Sequence, residues 1–343
     1  MKRNLLIITQ VLDEADSNLG FFCRWVTEYA NQVDHLYVIA LRVGAYRAPS
    51  NVTVLSLGKE KRNSRIKRLL LFWKYCFTYG RKANAVFTHM CPEYILYGAW
   101  LLRSKKRKLG LWYLHKSVTL KLKLAEKMVD YIFTAHNDGV KTHSKKIVVT
   151  GHGIDLNLFS LPHTVNTSSD SIRLLTVGRI TPSKDLLLLL RVVKMLNSSG
   201  QEKYTLTVVG EAYLSSDRAY EKLLHEEVKK LEIEDKVRFA GKISYTELPQ
   251  IYRDANIFVN ASKTGGVDKA ALEAMASECA VITSNQAFRT MLPAECLFEE
   301  GSAEDLVQKI KNYKVIDREK LHEYVVHEHS LKKSADGVIT QLF

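Results

Sequence analysis

Signatures of several common function classes are missing from this 343-residue sequence. It contains no CxxC pair, and no set of cysteines and histidines has the spacing of metal ligands. The cysteines are few and scattered, at Cys23, Cys76, Cys91, Cys279 and Cys296. This usage is typical of a reducing cytoplasm, and it argues against zinc, disulfide bonds or a redox dithiol.

Long apolar runs are missing too. The N-terminal stretch MKRNLLIITQVLDEAD places two basic residues before a short apolar run that ends in acids. That run is too short for a signal peptide or a membrane span, so we expect it to form the first buried strand. No later run approaches the length needed to cross a bilayer.

A phosphate-binding loop of the form G-x-x-x-x-G-K-[ST] is also absent. The tetrad DEAD at Asp13–Asp16 invites a helicase interpretation, but helicase chemistry needs such a loop to hold ATP. Because the tetrad directly follows the first predicted strand, we predict a polar loop at the carboxyl end of that strand.

What is present describes a globular protein with an uneven charge. Apolar residues make up 46% and charged residues 25% of the chain, and its length suits two domains. Residues 1–150 hold 26 Lys and Arg against 10 Asp and Glu, a net charge of +16, whereas residues 151–343 carry −3. Such asymmetry points to a partner with negative charge: a membrane, a nucleic acid or an acidic glycan.

Apolar runs of strand length alternate with stretches of helical period, which predicts an α/β fold with parallel sheets. The predicted strands are Leu5–Thr9, Leu36–Ala40, Val52–Leu57, Ala85–Thr88, Leu109–Leu114, Tyr131–Thr134, Ile147–Val149, Ile172–Val177, Tyr204–Val209, Val237–Phe239, Ile257–Val259 and Val281–Thr283. The clearest helical patterns are Phe21–Val33, Leu186–Leu196, Tyr220–Leu231 and Leu306–Tyr313.

A stretch rich in Ser, Thr and Asn separates the two halves. We predict an N-terminal domain over residues 1–160, a linker over 161–171 and a C-terminal domain over 172–343, with the last helix returning to the first domain. Each half is predicted to be doubly wound. Ligands of such sheets bind at the carboxyl ends of strands, which makes a cleft between the halves the expected site.

The segment SKTGGVDKAALEAMASECAVITSN, residues 262–285, carries the first site signal. Two glycines precede a short helix, and free N–H groups at a helix start, with the helix dipole, attract an anion. One carboxylate, Glu273, stands in this otherwise apolar helix.

A second signal lies in RLLTVGRITPSKDLLLLL, where Gly178 and Arg179 follow a strand and Lys184 precedes a helix. Two cations at the carboxyl end of a strand could bind a diphosphate. The alternative is that they are solvated charges around an ordinary loop. Gly210 and Gly241 end two further strands, and each either admits a ligand to the backbone or makes a simple turn.

The order VGRITPSK, VVGEA, VRFAGKIS, ELPQIYRDANIFVNAS, LEAMASECAVITS resembles the donor half of the retaining glycosyltransferases of family 4. VVTGHGIDLNLF resembles the segment that leads into that family's second domain, and LWYLHKS resembles its strand-end histidine, at His115. The resemblance is specific across residues 145–285 and weak across residues 1–110. It implies the GT-B fold, two Rossmann-like domains with a deep cleft.

The resemblance also implies roles for individual residues. Arg179 and Lys184 would hold the diphosphate of a nucleotide-sugar, Glu273 would accept hydrogen bonds from the ribose, and His115 would reach the donor sugar. Asn18 and Gly20 would lie on the acceptor side. The complete donor set would be Gly178, Arg179, Lys184, Gly210, Glu211, Gly241, Lys242, Ile243, Gly265, Gly266, Val267 and Glu273.

One departure concerns catalysis. The family pattern has an acid eight residues before Glu273, where this chain has Gly265. The nearest substitute is Asp268, which we expect either to contact the transferred sugar or only to cap its helix.

The basic stretch 59–82 combines nine Lys and Arg with several aromatic residues. A helix of this composition near 64–79 suits an anionic lipid surface, or it is a half-buried helix with a solvated basic face. No nucleic-acid-binding motif accompanies the charge, so we expect no nucleic acid partner. The residues that we expect at the membrane are Arg65, Lys67, Arg68 and Trp73.

The sequence thus predicts a metal-independent, retaining glycosyltransferase without a resident cofactor. It would act in the cytoplasm, on the inner face of the membrane, in the synthesis of a surface glycan or glycolipid. Its partners would be a nucleotide-sugar donor and a glycan or lipid-linked acceptor. There are two alternatives. One is a nucleotide-sugar epimerase of the same fold, and the other is an inactive protein that binds a sugar nucleotide or a glycan.

Overall fold

The computed structural model describes residues 2–16, 18–104, 107–115, 117–142, 144–160, 171–198, 202–263 and 265–343. The chain forms two compact units: Met1–Asp155 together with Glu328–Phe343, and Leu156–His327. The sequence-based boundary lay at residue 160. Of the predicted linker 161–171, all but Ser171, the first residue of a strand, lies outside the described residues.

In the described residues, the strands are β1 (Asn4–Leu12), β2 (His35–Val43), β3 (Val52–Ser56), β4 (Ala85–His89), β5 (Lys108–Trp112), β6 (Tyr131–Thr134), β7 (Ile147–Val149), β8 (Ser171–Val177), β9 (Lys203–Val209), β10 (Val237–Gly241), β11 (Ile257–Asn260) and β12 (Ala280–Thr283). The helices of the same residues are α1 (Phe22–Ala30), α2 (Arg65–Thr78), α3 (Pro92–Leu102), α4 (Leu120–Met128), α5 (Leu156–Phe159), α6 (Leu186–Ser198), α7 (Ser215–Lys230), α8 (Leu248–Asp254), α9 (Lys269–Ala276), α10 (Ala303–Lys311), α11 (Arg318–His329) and α12 (Leu331–Leu342). All twelve apolar runs therefore form strands, and the α/β prediction is confirmed.

The first unit is built on a parallel sheet in the order β3-β2-β1-β4-β5-β6-β7. Its central strands, such as β1 and β4, are buried on both faces, which explains their continuous apolar sequence. Along β1, Leu5 and Ile7 point into one core, and Leu6 and Ile8 point into the other, because side chains alternate along a strand.

Helices cover both faces of this sheet. Helices α2, α3 and α4 pack on the face of Leu6 and Ile8. Helix α1 packs on the opposite face together with α12, whose Leu331, Val338 and Leu342 enter the same core. The first unit therefore takes its last core helix from residues 331–342.

The second unit is built on a parallel sheet in the order β10-β9-β8-β11-β12. Helix α6 packs on β9 and against α7 and α10, and α9 packs on β11 and β12. None of the helices in the described part of the chain has the length and apolar character needed to span a bilayer.

Candidate functional site

The strand order of the second unit reverses between β8 and β11, and side chains after these two strands define the candidate site. Such a switch point leaves a crevice at the carboxyl ends of the strands, where open α/β sheets bind ligands. Gly178 and Arg179 follow β8, and Asn260 ends β11.

The three predicted glycine loops lie together at this edge. The Gly178 N–H donates to the Val209 carbonyl at 2.9 Å, and the Gly210 N–H donates to the Gly241 carbonyl at 2.9 Å. Gly210 has a φ of +137°, and a Cβ added there would lie 1.9 Å from the Gly178 carbonyl oxygen. Only glycine therefore permits this approach of the loops.

Lys184 lies at the end of a short 3-10 helix, Pro182–Lys184, and forms the central ion pair of the site. Its Nζ lies 2.5 Å from Asp268 Oδ2, and the side chains of both residues are less than a fifth exposed. The same Asp268 oxygen accepts a hydrogen bond of 3.1 Å from Asn260 Nδ2. A Cβ at Gly178 would lie 3.2 Å from Lys184 Cε, so the glycine leaves room for the lysine stem.

Asp268 stands at the N-cap position of α9, but its side chain makes no capping hydrogen bond. The carboxylate is turned instead toward Lys184 and Asn260. Of the two interpretations of Asp268, the geometry thus disfavours a mere N-cap. A carboxylate held in this way can accept hydrogen bonds from sugar hydroxyls.

Arg179 is an exposed cation of the site. It forms no salt bridge with any residue that the structure describes. Lys184, in contrast, is neutralised by Asp268. An anion such as a diphosphate could therefore pair directly with Arg179, whereas at Lys184 it would compete with the Asp268 carboxylate.

Glu273 is buried on α9 and accepts a hydrogen bond from the Tyr252 hydroxyl at 3.2 Å. Burial raises the pKa of Glu273 from its ordinary 4.5 to about 7, although Lys269 and the hydroxyls of Tyr252 and Tyr245 oppose the shift. The carboxyl group is therefore poised between its charged and neutral forms near neutral pH.

The glycine loop before α9 is held by Asn285, which follows β12. Gly265 has a φ of +65°, and the Gly266 carbonyl accepts a hydrogen bond of 2.7 Å from Asn285 Nδ2. Val267 is buried. Thr264 lies outside the described residues.

The rest of the predicted donor set lies at the same strand ends. Glu211 follows Gly210, and its carbonyl accepts a hydrogen bond of 3.1 Å from the Ile180 N–H. Lys242 is exposed and Ile243 is half-buried, directly after β10. The second unit thus brings the predicted donor residues to one edge of its sheet.

The predicted site residues of the first unit also follow strands. His115 is exposed after β5, and its Nδ1 accepts a hydrogen bond of 2.9 Å from the Ser117 N–H. With Nδ1 as an acceptor, a neutral ring carries its proton on Nε2. Asn18 and Gly20 lie in the loop between β1 and α1, where their backbone N–H groups donate to Asp16.

The DEAD tetrad forms this same polar loop. Asp16 also pairs with Arg42, and Asp13 Oδ1 accepts a hydrogen bond from the Ala15 N–H. The carboxylates therefore hold the loop, as the sequence predicted.

The residues predicted to meet a membrane lie on α2, but they differ in their surroundings. Trp73 donates from Nε1 to the Tyr97 carbonyl at 2.9 Å, and its ring packs against Trp100. Arg65 and Lys67 are exposed and Arg68 is half-buried, and the two arginines line a cavity.

Sequence reasoning missed three residues of the second-unit site: Asn260, Tyr252 and Asn285. Asn260 could have been found, because it is a polar residue at the end of a buried strand. Tyr252 and Asn285 reach the site only through tertiary contacts. Within the described residues, no group of three or more His, Cys, Asp or Glu is placed to hold a metal ion.

Residues 162–326 match the family model "Glycosyl transferases group 1". This match lies within the second unit, Leu156–His327. Over 188 residues, 52% of this chain and 44% of the relative, the chain is 25% identical to the putative colanic acid biosynthesis glycosyltransferase WcaL of Escherichia coli. The chain spans less than half the length of the curated relatives it matches.

Solved structures extend the likeness beyond residues 162–326. A glycosyltransferase from Rickettsia africae is similar to this chain with a TM-score of 0.75 and 16% sequence identity. The alignment covers 99% of this chain and 97% of the Rickettsia chain. Anabaena HepE in complex with UDP and glucose has a TM-score of 0.73 at 15% identity and covers 99% of both chains. These likenesses show that the fold is GT-B.

Proposed function

We propose that this protein is a glycosyltransferase that moves a sugar from a nucleotide-sugar to a hydroxyl group of an acceptor. The observation that carries the proposal is the cluster of Lys184, Asp268 and Asn260 at the switch point of the second unit, beside the exposed Arg179. It offers cations for a diphosphate and a carboxylate for sugar hydroxyls within one site.

The donor is proposed to be a nucleoside diphosphate sugar. Arg179 and Lys184 would contact the diphosphate, and Glu273 would accept hydrogen bonds from the ribose, in place of the one it now accepts from Tyr252. That HepE was solved with UDP and glucose supports this class of donor.

The reaction is proposed to retain the anomeric configuration. The acceptor oxygen would attack the sugar from the face of the departing diphosphate, and its proton would pass to a phosphate oxygen as the bond from C1 to that group breaks. The transition state resembles an oxocarbenium ion, so the protein must chiefly stabilise the leaving group's charge. Arg179 and Lys184 would do so without a metal ion.

The protein is proposed to act at an anionic membrane surface in the synthesis of a surface glycan. Helices α2 and α3 expose apolar side chains, with Ile66 73% and Trp100 67% exposed, in the unit whose first 150 residues carry +16. The name of WcaL, a protein of colanic acid biosynthesis, supports a polysaccharide pathway.

A panel of nucleotide-sugars and of soluble and lipid-linked acceptors tests this function by the release of nucleoside diphosphate. We expect release that requires an acceptor and is lost in Lys184→Ala. Epimerised nucleotide-sugar formed without an acceptor would identify an epimerase. Nucleotide binding without turnover of any donor would identify a binding protein, which the glycine at position 265 would then explain.

A further inference from the structure

The first unit contains a cavity of about 470 Å³ between α2 and α3. Its volume lies in the range of small-molecule sites. Gln10 of β1 and Cys91, just after β4, line it and are joined by a hydrogen bond of 2.8 Å from Nε2 to Sγ. The sheet order reverses between β1 and β4, so this cavity lies at the switch point of its own sheet, where ligands bind.

Most of the cavity wall is apolar. Leu57 and Phe72 are buried, and Leu41, Leu69 and Tyr94 are half-buried beside them. Burial raises the pKa of Tyr94 well above its ordinary value. These side chains suit a hydrocarbon chain, which gains about 0.8 kcal/mol for each methylene group it buries.

The charged residues of the wall leave an excess of positive charge. Glu93 is neutralised by Lys121, whose Nζ lies 2.9 Å from its Oε1. Arg65 and Arg68 form no ion pair with any residue of the described ranges. The Nε–H of Arg68 is buried and finds no acceptor among them. An unpaired guanidinium N–H beside an apolar wall favours an anionic ligand with an apolar part.

We propose that this cavity binds the phosphate and the first part of the hydrocarbon chain of an acceptor whose hydroxyl-bearing sugar is joined to a lipid through that phosphate. The phosphate would lie on Arg65 and Arg68, and the chain would run along Leu69 and Phe72. The proposal rests on the function proposed above, because it names the class of acceptor for that reaction. It also distinguishes Arg65 and Arg68, which line the cavity, from Lys67 and Lys74 of the same helix, which do not.

Calorimetric titration of the intact protein with decyl phosphate, in solution and without membranes, tests the proposal. We expect saturable binding that Arg65→Gln/Arg68→Gln weakens about tenfold or more, since two charge-assisted hydrogen bonds are lost. The matched control, Lys67→Gln/Lys74→Gln, removes the same charge from the same helix and should stay within about twofold of the parent. Decyl glucoside, with a neutral head, should bind more weakly than decyl phosphate.

Absence of binding, or equal losses in the two double variants, would overturn the proposal. A photoreactive alkyl phosphate gives a second readout that does not depend on a variant's folding: we expect labels within residues 65–72 and 91–97, and labelling elsewhere alone would contradict the site. Nucleoside diphosphate affinity, measured in parallel, should be the same in all variants. If no donor is ever turned over but the cavity still binds decyl phosphate, the proposed function fails and the amphiphile site stands.

Discussion

The Nζ of Lys184 lies 2.5 Å from Oδ2 of Asp268, a residue 84 positions later in the chain. The pair joins the loop after β8 to the start of α9, on the two sides of the switch point. A site for a diphosphate and a sugar needs a cation for the phosphates and a carboxylate for the sugar hydroxyls. Here the ion pair fixes the positions of both side chains.

Replacing Asp268 by Asn should separate binding from turnover. Asn keeps the shape of Asp and caps a helix as well, but it frees Lys184 for an anion. We expect turnover to fall about tenfold or more while affinity for nucleoside diphosphate rises about fivefold, the equivalent of 1 kcal/mol for one charge interaction. Asp185→Asn is the matched control, because Asp185 pairs with a different lysine, Lys263, at 2.8 Å. Weaker binding in Asp268→Asn would mean that Asp268 only positions the lysine.

Replacing Arg179 by Ala should weaken nucleoside diphosphate binding by about 1.5–3 kcal/mol, the range for hydrogen bonds to charged groups. Its exposed guanidinium has no other described ion partner, so its loss should leave the free energy of unfolding unchanged. Calorimetry and urea unfolding measure the two quantities. Arg191, exposed on α6, supplies the control, and equal affinities in Arg179→Ala and Arg191→Ala would remove Arg179 from the donor site.

The raised pKa of Glu273 should make the protein's stability depend on pH. Between pH 4.5 and about 7, the folded state keeps a proton that the unfolded state has released, so the contribution of Glu273 to stability falls as the pH rises through this window. Glu273→Gln removes this dependence and should be more stable than the parent at pH 8 by roughly 1–3 kcal/mol, but not at pH 4.

Urea unfolding of both proteins at pH 4 and pH 8 measures this difference. Glu304→Gln, on an exposed position of α10, should show no such change with pH. A separate test addresses the ribose. Glu273→Gln should weaken the binding of an intact nucleotide more than the binding of its 2′,3′-dideoxy analogue. Equal losses for the two ligands would assign Glu273 a structural role.

Much of this architecture was predictable because its signals are local. Each apolar run, such as Leu5–Thr9, forms a strand, since a run of that length between polar segments has few other ways to be buried. The loops at Gly178 and Gly210 were predictable for the same reason. The direction of the Asp268 carboxylate was not, because its own sequence neighbourhood favours a cap and a lysine 84 residues away decides otherwise. The cavity between α2 and α3 likewise arises only from tertiary packing.

Gly210 should not tolerate alanine. A Cβ would lie 1.9 Å from the Gly178 carbonyl oxygen, so one of the two loops must move. We expect Gly210→Ala to lower the free energy of unfolding by roughly 1–3 kcal/mol and to weaken nucleoside diphosphate binding. Gly266→Ala is the control for stability, because no atom of the described residues lies within 4 Å of its added Cβ. Wild-type stability in Gly210→Ala would show that these loops are free to separate.

Membrane binding should depend on both charge and exposed apolar side chains. In liposome flotation we expect binding that requires anionic lipid and fades as salt rises, because the attraction is electrostatic. Ile66→Asp/Leu70→Asp should abolish it, since both residues are exposed on α2. Val315→Asp, an equally exposed apolar position in the second unit, should bind like the parent. Recovery of the protein with neutral liposomes at the same level would reject the anionic surface.

The return of α12 to the first unit sets an order of assembly. During synthesis the N-terminal part of a chain emerges first and usually folds first. Here the core around Trp25 and Phe133 stays open until Leu331–Leu342 has left the ribosome, whereas the sheet of the second unit needs nothing later than its own residues. Of the two units, the one whose synthesis starts first is thus completed last, and a nascent chain must keep this apolar face from aggregating until α12 arrives.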